Sequence, residues 1–148
     1  MSEIAHTTPD QDERLMAAIA HAGFVTGVGP IFSLLVLLLR GKDSQYIRVQ
    51  AAQALAADLI IYLFAVVLGI GWTAIAILVA FIPTLSGSEE AFAISAIALT
   101  CVMMAVLLAY LVLRLVAAVR TYRGEDYRYP LIGEPVARIV RQQQPPAA

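Results

Sequence analysis

The residues that could do chemistry in this chain are one carboxylate and one arginine, each inside otherwise apolar sequence. Asp58 follows the alanine-rich stretch 51–57, and Arg114 follows the uncharged stretch 91–113. An ionisable side chain inside a membrane span costs about 3 kcal/mol or more at mid-helix, so it is rarely left unpaired. Antiparallel helices would bring the two residues to a similar depth, because each residue advances a helix by about 1.5 Å. We therefore predict an interhelical contact between Asp58 and Arg114.

Three roles remain open for this pair of charges. A structural ion pair is the role that we expect, because a charge buried without its partner is costly. The second is a proton or ion pathway, and the third is an Asp58 carboxylate that reaches the headgroups alone.

Three further polar side chains lie in largely apolar sequence. His21 is a lone imidazole among Ala18, Ala22 and Gly23, and a histidine in this setting is more often a hydrogen-bonded packing residue than a ligand. Gln50 and Gln53 are one helical turn apart and add hydrogen-bonding groups to one face. We therefore predict structural hydrogen bonds for these side chains.

The chain lacks the residue patterns of an enzyme or a cofactor-binding protein. It contains no nucleophile with a neighbouring base, no pair of acids, and no phosphate loop with a GK[ST] ending. The two histidines and Cys101 lack the spacing of metal ligands. A net charge of −1 gives no reason to expect nucleic-acid binding. The sequence therefore predicts a non-enzymatic protein without a metal or cofactor.

Three stretches, 15–39, 59–88 and 91–113, contain no Asp, Glu, Lys or Arg. A helix needs roughly 20 apolar residues to cross a hydrocarbon core about 30 Å thick, and all three stretches are long enough. The composition agrees, because 60% of the residues are hydrophobic and 14% are charged, against about half and about a quarter in soluble domains. We predict an all-α integral membrane bundle with about three transmembrane helices.

The predicted domain organisation follows from these stretches. A polar arm of residues 1–13 precedes a membrane domain over residues 14–131, with spans at about 15–39, 51–82 and 91–113. Pro83, Ser86 and Gly87 predict a turn between the second and third spans. A mostly disordered cytoplasmic tail over residues 132–148 completes the chain.

The first span carries small residues and a proline near its middle. Ala20, Gly23 and Gly27 form a face on which another helix can pack closely. Gly29 and Pro30 predict a hinge, because proline removes a backbone donor and clashes with the preceding turn. We expect a kinked span, and the alternative is a re-entrant pair of half-helices.

Cationic residues predict the orientation in a bacterial inner membrane, because lysines and arginines beside a span remain cytoplasmic. Arg40, Lys42 and Arg48 follow the first span, and several arginines follow the third. We predict a multi-pass protein with a cytoplasmic C-terminus. The N-terminus is then outside for a kinked first span and cytoplasmic for a re-entrant one.

The segment after the third span predicts an interfacial turn. Tyr127 and Tyr129 would place their rings at headgroup level and their hydroxyls in water, and Arg128 and Pro130 complete the turn.

Several short motifs in order resemble a known membrane family. They are Asp12-Glu13-Arg14, Ala20-His21, Gly29-Pro30, Tyr46-Ile47-Arg48, Gln53-Ala54-Leu55 and the stretch 124–131. The set resembles the Tic20-like family of small bacterial membrane proteins, a domain of unknown function related to a chloroplast import component. Gln50 and Ala56 stand where that family usually has other polar residues. The resemblance implies a helical membrane protein associated with protein translocation.

Two functions are therefore expected from the sequence. The first is a scaffold or accessory subunit that packs in the lipid bilayer with other membrane proteins or with copies of itself. The alternative is a Tic20-like translocation or channel component with a polar path near Asp58, which His21 and Gln53 would also have to face. An intramembrane enzyme is a distant third, because the chain lacks a second polar helix.

Overall fold

The computed structural model describes residues 8–81 and 89–142, and these residues are almost entirely helical. The elements in chain order are α1 (Gln11–Ala22), a 3₁₀ turn (Gly23–Thr26), α2 (Gly29–Arg40), α3 (Gln45–Phe81), α4 (Glu89–Tyr122) and α5 (Gly133–Gln142). Neither described range contains a β-strand. The all-α helical membrane fold predicted from the sequence is confirmed.

The first apolar stretch is divided into two helices that pack against each other. α1 begins at a capping box, in which the Asp10 carboxylate accepts from the Glu13 amide and Glu13 accepts in return from the Asp10 amide. The chain then turns at Gly27, whose φ of 78° lies in the left-handed region that glycine adopts without strain. Pro30 falls in the first turn of α2, where its missing N–H costs little.

Residues 15–39 therefore do not form one kinked helix, and the backbone corresponds to the alternative of two half-helices. α1 and α2 have 12 residues each. Such a helix is about 18 Å long, well short of the roughly 30 Å that a span needs.

α3 and α4 are the helices long and apolar enough to cross a membrane. The candidate spans cover Gln45–Leu78 and Phe92–Tyr122. α4 ends just before Gly124, whose φ of 84° provides a left-handed cap. The turn predicted at Pro83, Ser86 and Gly87 lies outside the described residues.

The described residues form two compact units, of which the larger combines the chain up to Leu59 with the chain from Leu111 onward. Its core is built mainly from small residues on α1 and α3, which let the helix backbones approach closely: Ala20, Val36, Ile47, Ala51 and Ala54. The smaller unit covers residues 60–110, and in it Trp72 stacks on Phe92 with ring centroids 5.4 Å apart.

α5 replaces part of the tail that the sequence predicted to be mostly disordered. Ala137 and Val140 on one side of α5 pack against Val49 of α3, which gives this short helix a buried face. Pro135 lies in its first turn, where a proline is compatible with helix. Residues 143–148 of the predicted tail lie outside the described residues.

Replacing Gly29 by alanine should destabilise the fold. The new Cβ would lie 2.9 Å from the Phe24 Cα and 3.0 Å from an oxygen of Asp58, closer than packed atoms tolerate. We expect the free energy of unfolding in mixed micelles, followed by circular dichroism, to fall by about 1–3 kcal/mol. Gly69→Ala is the matched control, because no atom lies within 4 Å of its new Cβ. Equal stability of the two variants would contradict the tight packing at Gly29.

Candidate functional site

The Asp58–Arg114 contact predicted from the sequence is present in the larger unit and links α3 to α4. Arg114 Nη2 lies 3.0 Å from Asp58 Oδ2. The two side chains are 1% and 0% exposed, so neither charge is screened by water. The attraction between two buried charges of opposite sign offsets their desolvation cost only when further hydrogen bonds satisfy their remaining polar atoms.

α1 and α2 supply those further hydrogen bonds. Arg114 Nη2 also donates to the Ala20 carbonyl at 3.0 Å, in the last turn of α1, where carbonyls lack partners within the helix and the helix dipole favours a cation. The Ser33 hydroxyl of α2 lies 3.1 Å from Asp58 Oδ2 and 3.0 Å from the same carbonyl. Four helices therefore meet at one ion pair.

His21 extends this arrangement on the other side of the guanidinium. Its Nδ1 lies 3.4 Å from Arg114 Nη1 and 3.1 Å from the Tyr129 hydroxyl, and its Nε2 lies 3.2 Å from Gln50 Oε1. Because a guanidinium only donates, Nδ1 must accept and the proton belongs on Nε2, from which it is donated to Gln50. The network thus assigns a neutral imidazole with one defined tautomer.

Gln50 connects the helices to the segment that follows α4. Its Nε2 donates to Asp126 Oδ1 and to the Tyr127 carbonyl, each at 3.1 Å. The carboxylate can only accept, which fixes the orientation of the amide and agrees with the histidine tautomer. We name the connected side chains the polar core cluster: His21, Ser33, Gln50, Asp58, Arg114 and Tyr129.

The segment after α4 is folded onto the bundle. Tyr127 and Tyr129 are 8% and 6% exposed, and their rings meet edge to face with centroids 5.2 Å apart. Sequence analysis placed both hydroxyls in water, whereas the Tyr129 hydroxyl lies in the polar core cluster. Burial raises the pKa of Tyr129 to about 12, against the opposing effect of the Arg114 charge, so the phenol stays protonated.

Arg128 and Pro130, the other two residues of the predicted interfacial turn, lie at the surface of this segment. Arg128 forms ion pairs with Asp126 at 2.8 Å and with Glu134. Both pairs are partly solvated, and exposed pairs of this kind contribute little to stability. Pro130 is exposed.

Gln53 is close in sequence to the cluster but does not take part in it. The side chain is fully buried, and neither amide atom has a hydrogen-bond partner among the described residues. The hydrogen bond predicted for this residue from the sequence is therefore not seen.

The small residues of the first stretch have different surroundings from one another. Ala20 lies in the apolar core and Gly23 is buried against Phe32 of α2, so both serve packing within the chain. Gly27 forms the left-handed turn and has no neighbour within 4 Å of an added Cβ. Gly29 approaches the Asp58 carboxylate, which gives the predicted hinge a packing role as well.

Sequence analysis assigned no structural role to Ser33 or Tyr46. Ser33 is the one polar residue within the apolar stretch 31–39, and this isolation was a usable signal. The Tyr46 hydroxyl lies 2.9 Å from the Thr121 carbonyl and 3.0 Å from the Glu125 carbonyl, so it joins the start of α3 to the end of α4. Its partners are backbone atoms 75 or more positions away, which no local pattern indicates.

The polar core cluster has the properties of a structural element. Its ionisable groups bind one another, and all six side chains are buried. Over the ranges 8–81 and 89–142, no three His, Cys, Asp or Glu side chains are grouped as metal ligands would be. The arrangement can hold helices together, and its ionisable groups are enclosed by protein.

Removing one member of the ion pair should destabilise the protein more than removing both. We expect Asp58→Ala to lower the free energy of unfolding by about 3–5 kcal/mol, because it leaves the Arg114 charge buried without its carboxylate. The double variant Asp58→Leu, Arg114→Met should recover much of that loss, since no buried charge remains.

Chemical unfolding in mixed micelles would measure both values. Glu125→Gln is the control: it breaks only the exposed 3.7 Å contact with Arg120 and should change stability by less than about 1 kcal/mol. If Asp58→Ala and Glu125→Gln lowered the free energy of unfolding by similar amounts, the buried ion pair would contribute no more to stability than the exposed one.

Comparison with known proteins identifies the family. No curated protein and no solved structure matches the chain. One family model does match, over residues 12–136: the MamF/MmsF magnetosome magnetite crystal formation protein family. The resemblance to the Tic20-like family was therefore wrong; its short motifs covered the same part of the chain, but the match over this range is to a different family. The chain belongs to the magnetosome magnetite crystal formation protein family.

Proposed function

We propose that this chain is a non-enzymatic accessory protein of a magnetosome membrane, which contributes to magnetite crystal formation by packing with other membrane proteins or with copies of itself. The family supports the membrane and the process. The direction in which the side chains face supports the packing role.

The observation that carries this proposal is the separation of polar and apolar side chains. The polar core cluster is directed inward and its members bind one another. Large apolar side chains cover the outside of α2, where Ile31, Leu34 and Leu38 are 56%, 42% and 63% exposed. A surface of this kind suits lipid and the apolar faces of other membrane proteins.

The alternative role as a polar path receives less support. Asp58 is fully buried, and Arg114 and Ser33 lie within hydrogen-bond distance of the same Asp58 oxygen. A conducting path would need its ionisable groups to face water.

A gene deletion in the source bacterium would test the role in magnetite formation. We expect smaller mean crystal lengths by electron microscopy, restored by the wild-type gene and by Glu125→Gln but not by Asp58→Ala, which loses the central ion pair. Mild-detergent purification from magnetosome membranes should recover a stoichiometric partner or a second copy. Unchanged crystals after deletion would refute the role in magnetite formation. Altered crystals with a solitary protein would refute the packing role alone.

We further propose a two-span topology, in which α3 and α4 cross the membrane and α1 and α2 do not. The cationic residues at the start of α3 and the end of α4 support a cytoplasmic location for these ends. Gly124, which follows α4, is packed against the Arg14 side chain of α1: a Cβ added to Gly124 would lie 2.8 Å from it. The first turns of α1 therefore lie beside this end of α4.

Impermeant labelling of single cysteines in a Cys101→Ala background, on intact and permeabilised magnetosome vesicles isolated from the cells, would test this topology. We expect Asp12→Cys and Gln142→Cys to react on intact vesicles, because both positions are exposed and both would be on the cytoplasmic face, which is the outer face of an isolated vesicle. Labelling of Asp12→Cys only after the vesicles are permeabilised would instead support a first segment that crosses the membrane.

A further inference from the structure

The outward face of the last turns of α4 combines an apolar floor with two arginines. Leu115, Val116, Val119, Arg120 and Arg123 line a shallow groove of about 290 Å³. The face is opposite the buried side of the helix, on which Arg114, Ala117 and Thr121 lie. Neither the polar core cluster nor the proposed packing role accounts for the arginines at one end of this groove.

The charges in the groove are only partly neutralised by the protein. Arg123 forms no ion pair within the described parts of the chain. Arg120 lies 3.7 Å from Glu125 and its guanidinium carbon lies 5.9 Å from the Tyr127 ring centroid, but its side chain is 57% exposed. The groove therefore retains positive charge where it ends.

The position of the groove along α4 matches the edge of a bilayer. α4 is apolar and long enough to span up to Tyr122, and Leu115, Val116 and Val119 belong to the last apolar turns. One turn further along the same face, the side chains are arginines. This change from apolar to cationic within about 6 Å corresponds to the boundary between acyl chains and headgroups.

We propose that this groove binds one anionic phospholipid. The acyl chain lies along Leu115, Val116 and Val119, and the headgroup phosphate accepts hydrogen bonds from Arg123 and Arg120. Guanidinium groups pair with phosphate oxygens through charge-assisted and often bidentate hydrogen bonds. A zwitterionic lipid carries the same phosphate together with a choline cation, which the two arginines repel. The site therefore selects lipids by net headgroup charge, whereas the rest of the apolar surface does not.

A second groove, on α5, contains arginines but lacks the other features that a site for an anionic lipid needs. Glu134, Arg138, Arg141 and Gln142 line it, so a carboxylate lies among its arginines and no apolar side chain forms a floor for an acyl chain. Arg138 is exposed like Arg123, and it provides a matched control on the same part of the molecule.

Native mass spectrometry of the purified full chain would test the proposal with a defined lipid pair. The protein is equilibrated with equal amounts of dioleoyl phosphatidylglycerol and dioleoyl phosphatidylcholine, which share their acyl chains and differ in charge. We expect the wild type to retain phosphatidylglycerol preferentially. Arg123→Gln should lower the ratio of bound phosphatidylglycerol to phosphatidylcholine about fivefold, whereas Arg138→Gln should leave it unchanged.

Two further variants separate the contribution of the arginine charge to lipid binding from that of the apolar floor of the groove. Arg123→Lys keeps the cation and should retain most of the preference, whereas Val119→Asn should reduce the binding of both lipids. The three substituted positions, 119, 123 and 138, are exposed, so none of these changes disturbs the core.

Three results would overturn the proposal. One is a wild type without preference, and another is an equal effect of Arg123→Gln and Arg138→Gln, which would indicate diffuse attraction only. The third is a protein partner, in place of lipid, that Arg123→Gln releases.

Discussion

The buried guanidinium of Arg114 is the constraint on which the larger unit depends. A cation removed from water must be compensated locally, and the compensation comes from the Asp58 carboxylate, the Ala20 carbonyl and the Tyr129 hydroxyl. These partners belong to α3, α1 and the segment after α4, and Ser33 of α2 contacts the same carboxylate. Satisfying one charge therefore determines the placement of every element around it.

The same requirement explains how two helices too short to span can form part of a membrane protein. A short helix in apolar surroundings has unpaired carbonyl groups at its end, and each is costly when no donor reaches it. The guanidinium and the Ser33 hydroxyl lie within reach of the Ala20 carbonyl in the last turn of α1. Gly29 begins α2 against the Asp58 carboxylate, where a larger residue would not fit. Both half-helices are thus held by polar contacts inside, and α2 faces outward with apolar side chains.

The burial of the polar side chains and the exposure of the apolar ones also relate this fold to its family. The family is named for magnetite crystal formation, which takes place in a membrane compartment, and membership of the family does not imply that each protein catalyses a reaction. In this chain the ionisable residues of the core are used to support one another. The exposed surfaces of α2, α3 and α4 are largely apolar, and exposed arginines lie where α4 ends. The charges of the core are thus kept away from the apolar surfaces.

The sequence by itself determined the helical class, the long apolar helices and the Asp58–Arg114 contact. These follow from composition and from distance along a helix axis, and both can be read from a single chain. Only the tertiary structure decided that His21 and Tyr129 join the ion pair, that the first stretch divides into two packed helices, and that α5 is ordered. Each of these depends on which atoms lie opposite one another across elements distant in sequence, because burial and hydrogen bonding are properties of the assembled bundle.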